Sequence, residues 1–267
     1  MSNVTTQTLL EMKKKGDRIV ALTCYDALFA RLLDASGIDI LLVGDSVSQV
    51  LAGAPSTLSA TLDQMIYHTR IVRRGAERAM VVCDMPFLTY QVTPEEAVRN
   101  CGRAMQETAC HAVKLEGGQP MAATVRRLVD VGIPVMGHIG LTPQSVHALG
   151  GYRVQGREDV AAERLKADAQ ALEEAGAFAV VLELLPAPLA SQISKALTIP
   201  TIGIGAGPAC DGQVLVLHDM LGLNDRFSAK FVKKYAAMAD EVQEAARLFA
   251  AEVREGRYPG PEHSFGK

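Results

Sequence analysis

The sequence predicts an α/β fold, a closed (β/α)8 TIM barrel, on three observations. Short uninterrupted aliphatic runs such as Ile40-Leu41-Leu42-Val43 recur along the chain, and such runs belong to parallel strands buried on both faces. These runs alternate with stretches of helical period, the order that builds a parallel sheet. Eight strand candidates can be counted, the number that closes a barrel. With 267 residues and 48% hydrophobic content, the chain is long enough for such a barrel and can fill its core. No linker rich in Pro, Gly or Ser divides it, so the expectation is a single domain over residues 1–267, a barrel with a C-terminal helix and tail.

The elements follow in order. Residues 18–23 form the first strand, and a helix through Ala35 turns at Gly37 into the second, 40–43. After a loop with Gly53, Pro55 and Ser56, Thr61 stands three residues before Gln64 as a capping pair, and the helix it starts stops at Gly75. The third strand is 79–84. Thr93-Pro94-Glu95-Glu96 combines an N-cap, a proline at the first position and a glutamate at the third, opening a helix that reaches about His111. The fourth strand, 112–116, ends at Gly117-Gly118, with a helix over 120–131 and a fifth strand over 134–139. The connection from Gly140 to Asp159 is long enough to suggest a functional loop. A helix over 159–175 ends at Gly176, followed by the sixth strand, 178–183, and a helix over 187–197. Thr201 to Gly207 is the seventh strand and Val214 to Asp219 the eighth. The last helix, 229–255, has Ser228 as its cap and places residues 232, 235, 239, 242, 246, 249 and 253 on one stripe.

Charge narrows the partners. With 27 Lys and Arg against 30 Asp and Glu, the net charge is −3 and no basic stripe appears, which argues against nucleic acid. Arg70, Arg73, Arg74 and Arg78 read as a solvated helix face. No stretch approaches the ~18 apolar residues of a membrane span. Residues 1–15 lack a hydrophobic core of the secretory kind. The five cysteines, at 24, 83, 101, 110 and 210, have no metal-site spacing and read as small buried residues, so the expected location is cytoplasmic.

The chemistry is expected at the C-terminal ends of the strands, where the loops of a barrel converge. Asp45, Asp84 and Glu116 fall at the ends of neighbouring strands as hard oxygen ligands, which suit Mg2+. The alternative for each is a capping or loop carboxylate. Lys114 lies two residues before Glu116 and shares its side of the strand, where it can hold a substrate carboxylate or act as a Schiff-base nucleophile. His138 can donate to a substrate oxygen or rest as a satisfied core histidine. Glu183, within Val-Val-Leu-Glu-Leu-Leu-Pro, has the apolar sequence neighbours that suit a general base, though a structural buried glutamate fits as well. Gly203-x-Gly-x-Gly207 lacks dinucleotide spacing and reads as an anion or close-approach loop; His218-Asp219 is ambiguous.

Longer motifs carry a resemblance. Val43-Gly44-Asp45-Ser46, Val113-Lys114-Leu115-Glu116-Gly117-Gly118, the run from Gly137 to Gln144, Gly150 to Arg157, and Tyr258 to Phe265 together resemble the 3-methyl-2-oxobutanoate (ketopantoate) hydroxymethyltransferase family over residues 5–265. The resemblance implies a barrel of the phosphoenolpyruvate/pyruvate type, Mg2+, and a homodecamer built as a pentamer of dimers. It implies transfer of a hydroxymethyl group from 5,10-methylenetetrahydrofolate to 3-methyl-2-oxobutanoate through a Mg-stabilised enolate, giving 2-dehydropantoate at the start of pantothenate biosynthesis. By motif, Asp45 and Asp84 resemble the metal ligands, with Glu116 beside the metal through water. Ser46 and Lys114 look like substrate-carboxylate contacts and Glu183 like the proton acceptor. Two rivals stand beside this reading: a lyase of the same barrel type acting on a 2-oxo acid, and a non-catalytic barrel serving as a binding or assembly module.

Overall fold

Valine, isoleucine and leucine dominate the strand runs because residues of a parallel barrel strand are buried on both faces. In the computed structural model, which describes residues 3–225 and 227–266, eight strands hydrogen-bond in sequence order into a closed parallel barrel. They are β1 (Ile19–Thr23), β2 (Ile40–Val43), β3 (Met80–Asp84), β4 (Ala112–Glu116), β5 (Val135–Gly140), β6 (Ala179–Glu183), β7 (Thr201–Ile204) and β8 (Gly212–Leu215). The predicted fold class is the observed one.

Strand alternation decides what the barrel encloses. Ile40 and Leu42, Met80 and Val82, Ala112, Met136, and Ala179 and Val181 form one apolar cluster inside. Side chains two residues apart share a face. Continuing the same parity toward the C-terminal ends therefore brings Asp84, Lys114 and Glu116, His138, and Glu183 to the inner face above that cluster. The register completes the arrangement: Asp84 is opposite Lys114, Glu116 opposite His138, and Gly140 opposite Glu183.

The helices are α1 (Thr6–Lys15), α2 (Ala27–Ala35), α3 (Val47–Val50), α4 (Leu62–Gly75), α5 (Pro94–Thr108), α6 (Ala122–Asp130), α7 (Asp159–Glu174) and α8 (Ala187–Ala196). The caps expected at Thr61 and Thr93 are present: each side chain accepts from the backbone N–H three residues on. Helix α1 is not anticipated from its polar sequence, although Thr5 and Thr8 form a capping box and Gly16 closes it in the left-handed conformation. Its Leu9, with Val4, joins the barrel cluster, and Lys13 binds the carbonyls of Ser194 and Ile199 and the carboxylate of Asp211. Those partners precede β7 and β8, so α1 covers the N-terminal end of the barrel, opposite the acidic layer. The short α3, in the loop after β2, is likewise unannounced.

Three of the four arginines singled out in the sequence serve local structure. Arg70 pairs with Glu107 at 3.1 Å, Arg73 donates to the Ala109 carbonyl, and Arg78 pairs with Asp39 at 3.3 Å. All five cysteines are buried and without a disulfide. No helix among the described residues is long and apolar enough to cross a membrane.

His111 joins β3 to the start of β4. Its ring Nδ1 accepts from the Val81 N–H at 2.9 Å, and its own N–H donates to the Val81 carbonyl at 2.9 Å. Burial, then the Arg73 charge, hold its pKa below the ordinary histidine value. A depressed folded-state pKa contributes stability that is fully present above the unfolded value, about 6.5, and is lost as pH falls toward the folded one. Urea denaturation between pH 7.5 and 5.5 should show stability falling with pH. His111→Asn, whose amide oxygen can still accept from Val81, should remove that share of the slope; an unchanged slope would contradict it.

The chain divides into two compact units, residues 1–216 and 217–267. The second contains α9 (Leu217–Met220) and α10 (Met238–Arg254). Two expectations are corrected here. The eighth strand stops at Leu215, and His218-Asp219 lies in α9, where Asp219 accepts from the Asn224 amide at 3.0 Å. The last helix begins at Met238 rather than 229. The N–H groups of Tyr235 and Met238 are taken by the carbonyls of Met220 and Leu221, and Lys230, Lys233 and Lys234 would set three cations at the positive end of a longer helix. Asp240 and Glu241 in the observed first turn suit the dipole instead.

Candidate active site

Six of the seven residues expected from the sequence to carry chemistry meet at the C-terminal mouth of the barrel. Asp84 ends β3 and bridges two neighbours. Its Oδ1 is 2.8 Å from Lys114 Nζ, and its Oδ2 accepts from the Asp45 backbone N–H at 3.2 Å. Lys114 Nζ is also 3.7 Å from Glu116 Oε1 and 3.1 Å from His138 Nδ1. On its far side, His138 Nε2 lies 3.1 Å from Glu183 Oε2. Asp45, Asp84, Lys114, Glu116 and His138 are each between 2% and 6% exposed, whereas the Glu183 side chain is 15% exposed and reaches toward the opening. Ser46 enters separately: its Oγ is 2.8 Å from the phenol of the buried Tyr25.

Burying this many acids has electrostatic consequences. Burial, followed by repulsion from Asp84 and Glu116, raises the Asp45 pKa well above the ordinary carboxylate value. Asp84 is also raised, by burial, despite the opposing Lys114 charge. Glu116 goes the other way: hydrogen bonding from His138 and the charge of Lys114 outweigh its burial. Lys114 is held as an ammonium by Asp84, Glu116 and Asp45 against its desolvation. Burial and Lys114 work against a charged His138, but Glu116 and Glu183 prevail and push its pKa up to about 9. A protonated ring carries hydrogen on both nitrogens; a neutral ring accepting from Lys114 at Nδ1 carries it on Nε2. Nε2 therefore carries hydrogen in either form and faces Glu183 Oε2 at 3.1 Å as an ion-pair contact.

The layer holds four carboxylates against one lysine and one histidine. That donor set is hard, oxygen-rich and short of positive charge, which fits a divalent cation such as Mg2+. Among the described residues, no three His, Cys, Asp or Glu side chains converge tightly enough to hold a metal ion unaided. Mg2+ itself needs only one or two carboxylates and keeps waters or substrate oxygens for the remaining positions. Asp45 and Asp84, with Glu116 alongside, are the carboxylates that could take such a cation.

Three features lie outside the sequence reading. Both ring nitrogens of His138 face protein groups, Nδ1 toward Lys114 and Glu116 and Nε2 toward Glu183. Glu183 does not have the apolar surroundings its sequence suggests, because Leu182 points to the other face of the strand and the carboxylate meets His138. Gln144 and Tyr90 are also part of the layer: Gln144 Nε2 donates to Asp45 Oδ2 at 3.0 Å, and the Tyr90 hydroxyl accepts from the Glu116 N–H at 3.0 Å. Neither neutral side chain announces itself by charge or period.

Gly140 is required beside Glu183. It has φ of 96°, and a Cβ there would sit 2.2 Å from the Glu183 carbonyl oxygen, which accepts from the Leu141 N–H. Gly140→Ala should cost roughly 1–3 kcal/mol from the backbone conformation alone and displace Glu183 in addition. Urea denaturation alongside turnover would check it; a variant with unchanged stability and rate would show that the turn relaxes freely.

A family model described as ketopantoate hydroxymethyltransferase matches residues 3–261. A 3-methyl-2-oxobutanoate hydroxymethyltransferase of Syntrophus aciditrophicus is 56% identical over 98% of this chain and 96% of that protein. One from Chlorobaculum parvum is 52% identical over 99% and 97%. Among solved structures, phosphonopyruvate hydrolase in complex with oxalate and Mg++ superposes with a TM-score of 0.64 at 12% identity, over 98% of this chain and 93% of that one. A 2,3-dimethylmalate lyase of the PEP mutase/isocitrate lyase superfamily gives 0.61 at 17% identity, over the same shares. At those identities the two structures speak for the barrel fold.

Proposed function

The chain belongs to the ketopantoate hydroxymethyltransferase family and is a hydroxymethyltransferase, and from that premise we propose its reaction in full. It transfers the one-carbon unit of 5,10-methylenetetrahydrofolate to C3 of 3-methyl-2-oxobutanoate, giving 2-dehydropantoate, the first step of pantothenate biosynthesis. The observation that carries this reading is the acidic layer with one lysine and a histidine-backed glutamate at its edge.

Asp45 and Asp84 would hold Mg2+, with Glu116 beside it through water. When bound, the cation supplies a Lewis acid that polarises the 2-oxo acid and favours loss of its C3 proton. Lys114, kept charged by three acids, and Ser46 take the substrate carboxylate. Glu183 accepts the C3 proton. His138 holds that carboxylate by Oε2, so the other oxygen is free to face the substrate. The resulting carbanion at C3 forms the new C–C bond to the donated methylene carbon as its two bonds to folate nitrogens break, those nitrogens taking up the C3 proton and one proton of water. Overall, one water is consumed, its oxygen becomes the new hydroxyl, and tetrahydrofolate is released. The family resemblance extends the proposal to a homodecamer of 28.5 kDa chains in the cytoplasm, which sedimentation of the purified protein and fractionation of cells would test.

The direct test supplies 3-methyl-2-oxobutanoate, Mg2+ and 5,10-methylenetetrahydrofolate and follows 2-dehydropantoate. Product should form only with all three. Cleavage of the 2-oxo acid in the absence of folate would establish the lyase alternative, and no turnover with any combination would favour a binding module.

A further inference from the structure

We infer that Gln144 is a positioning residue that sets the Asp45 carboxylate for the cation, a role that rests on the proposed reading of Asp45 and Asp84. The side chain is 5% exposed and every polar atom of its amide is engaged. Nε2 donates to Asp45 Oδ2 at 3.0 Å and to the Met85 carbonyl at 2.9 Å. Oε1 accepts from the Tyr90 hydroxyl at 2.8 Å and from Gln91 Nε2 at 3.1 Å. Those two donors fix which end of the amide is which: turned over, the NH2 would face two donors and the oxygen would face a carboxylate.

The consequences are specific to Asp45. One amide spans residues 45 and 85, so it ties the loop after β2 to the segment that follows Asp84. With Oδ2 occupied by an N–H, Oδ1 is the oxygen left to a ligand. The amide brings a donor and no charge. A lysine there would restrain Asp45 equally but would cancel part of the negative charge that attracts the cation. The same residue's backbone N–H donates to Glu116 Oε2 at 3.0 Å, leaving Oε1 toward Lys114 and His138. Gln144 thus restrains two of the three acids, each by one oxygen. Mutating the partners that hold ligating carboxylates typically costs roughly 10–100-fold in metal affinity.

Gln144→Met keeps the size and the backbone N–H but cannot donate from its side chain. Titration calorimetry of Mg2+ into the full chain, with neither organic substrate present, should show affinity lowered by roughly 10–100-fold. The melting temperature of the cation-free protein is read in parallel. His111→Asn serves as a control that alters stability at a distance and should leave affinity unchanged. A folded Gln144→Met protein with parental Mg2+ affinity would overturn the inference. Where that variant does not fold, Tyr90→Phe removes the hydroxyl that orients the amide, and a parental affinity there overturns it equally. The parent titration separates the two levels: absence of Mg2+ binding by the parent removes the cation reading, and this inference with it. Binding by the parent that Gln144→Met retains removes this inference alone.

Discussion

Glu183→Gln is expected to slow exchange of the C3 proton of 3-methyl-2-oxobutanoate with solvent deuterium by roughly 10²–10⁴-fold, the usual contribution of a positioned general base. The exchange is followed by NMR with Mg2+ present and folate absent, which isolates proton removal from carbon transfer. Glutamine preserves the length of the side chain and keeps an oxygen facing His138, whose Nε2 lies 3.1 Å from the carboxylate. It cannot take a proton. Asp45 and Asp84 are untouched, so Mg2+ binding should remain close to parental. Exchange continuing at the parental rate would assign the base to another group, whereas loss of both exchange and Mg2+ binding would point to collapse of the layer.

Lys114→Met should lower both stability and turnover. Nζ lies within 2.8 Å of Asp84 and 3.7 Å of Glu116 at 3% residue exposure, so removing it leaves buried acids without their nearest cation. Breaking a buried pair by deleting one partner costs about 3–5 kcal/mol, because the remaining charge keeps its desolvation penalty. Loss of the cation proposed to take the substrate carboxylate should reduce kcat/KM by roughly 10²–10³-fold, the scale of one preorganised electrostatic contact. Urea denaturation and steady-state kinetics read the two effects separately. A variant of parental stability would mean that the acids protonate without penalty, and one of parental kcat/KM would remove Lys114 from substrate binding. A Schiff-base role would instead be seen as a borohydride-trapped adduct at Lys114 in the parent.

Much of the barrel was legible because its signals are short-range. The runs 40–43, 79–84 and 112–116, the capping pair Thr61 and Gln64, and the proline at 94 each express preferences of residues within a turn or a strand of one another. The acids followed from a rule of topology, since strand ends in a barrel share one face. Misreadings arose where a local pattern met a distant partner. Residues 229–237 carry a helical stripe, yet the Tyr235 N–H goes to Met220. Residues 6–15 read as a polar start, yet their few apolar side chains cover the barrel floor.

From the letters alone one can derive eight alternating β and α units, the acids Asp45, Asp84 and Glu116 with Lys114 at their rim, and the family they resemble. How those side chains are held could not be so derived. Gln144 and Asp45 are 99 residues apart and His138 reaches Glu183 across the register of two strands, so both contacts exist once the barrel has closed. Periodicity and propensity record what neighbours in sequence prefer. An uncharged amide bonded across the mouth leaves no such trace, because its energy comes from partners that closure alone brings within 3.0 Å.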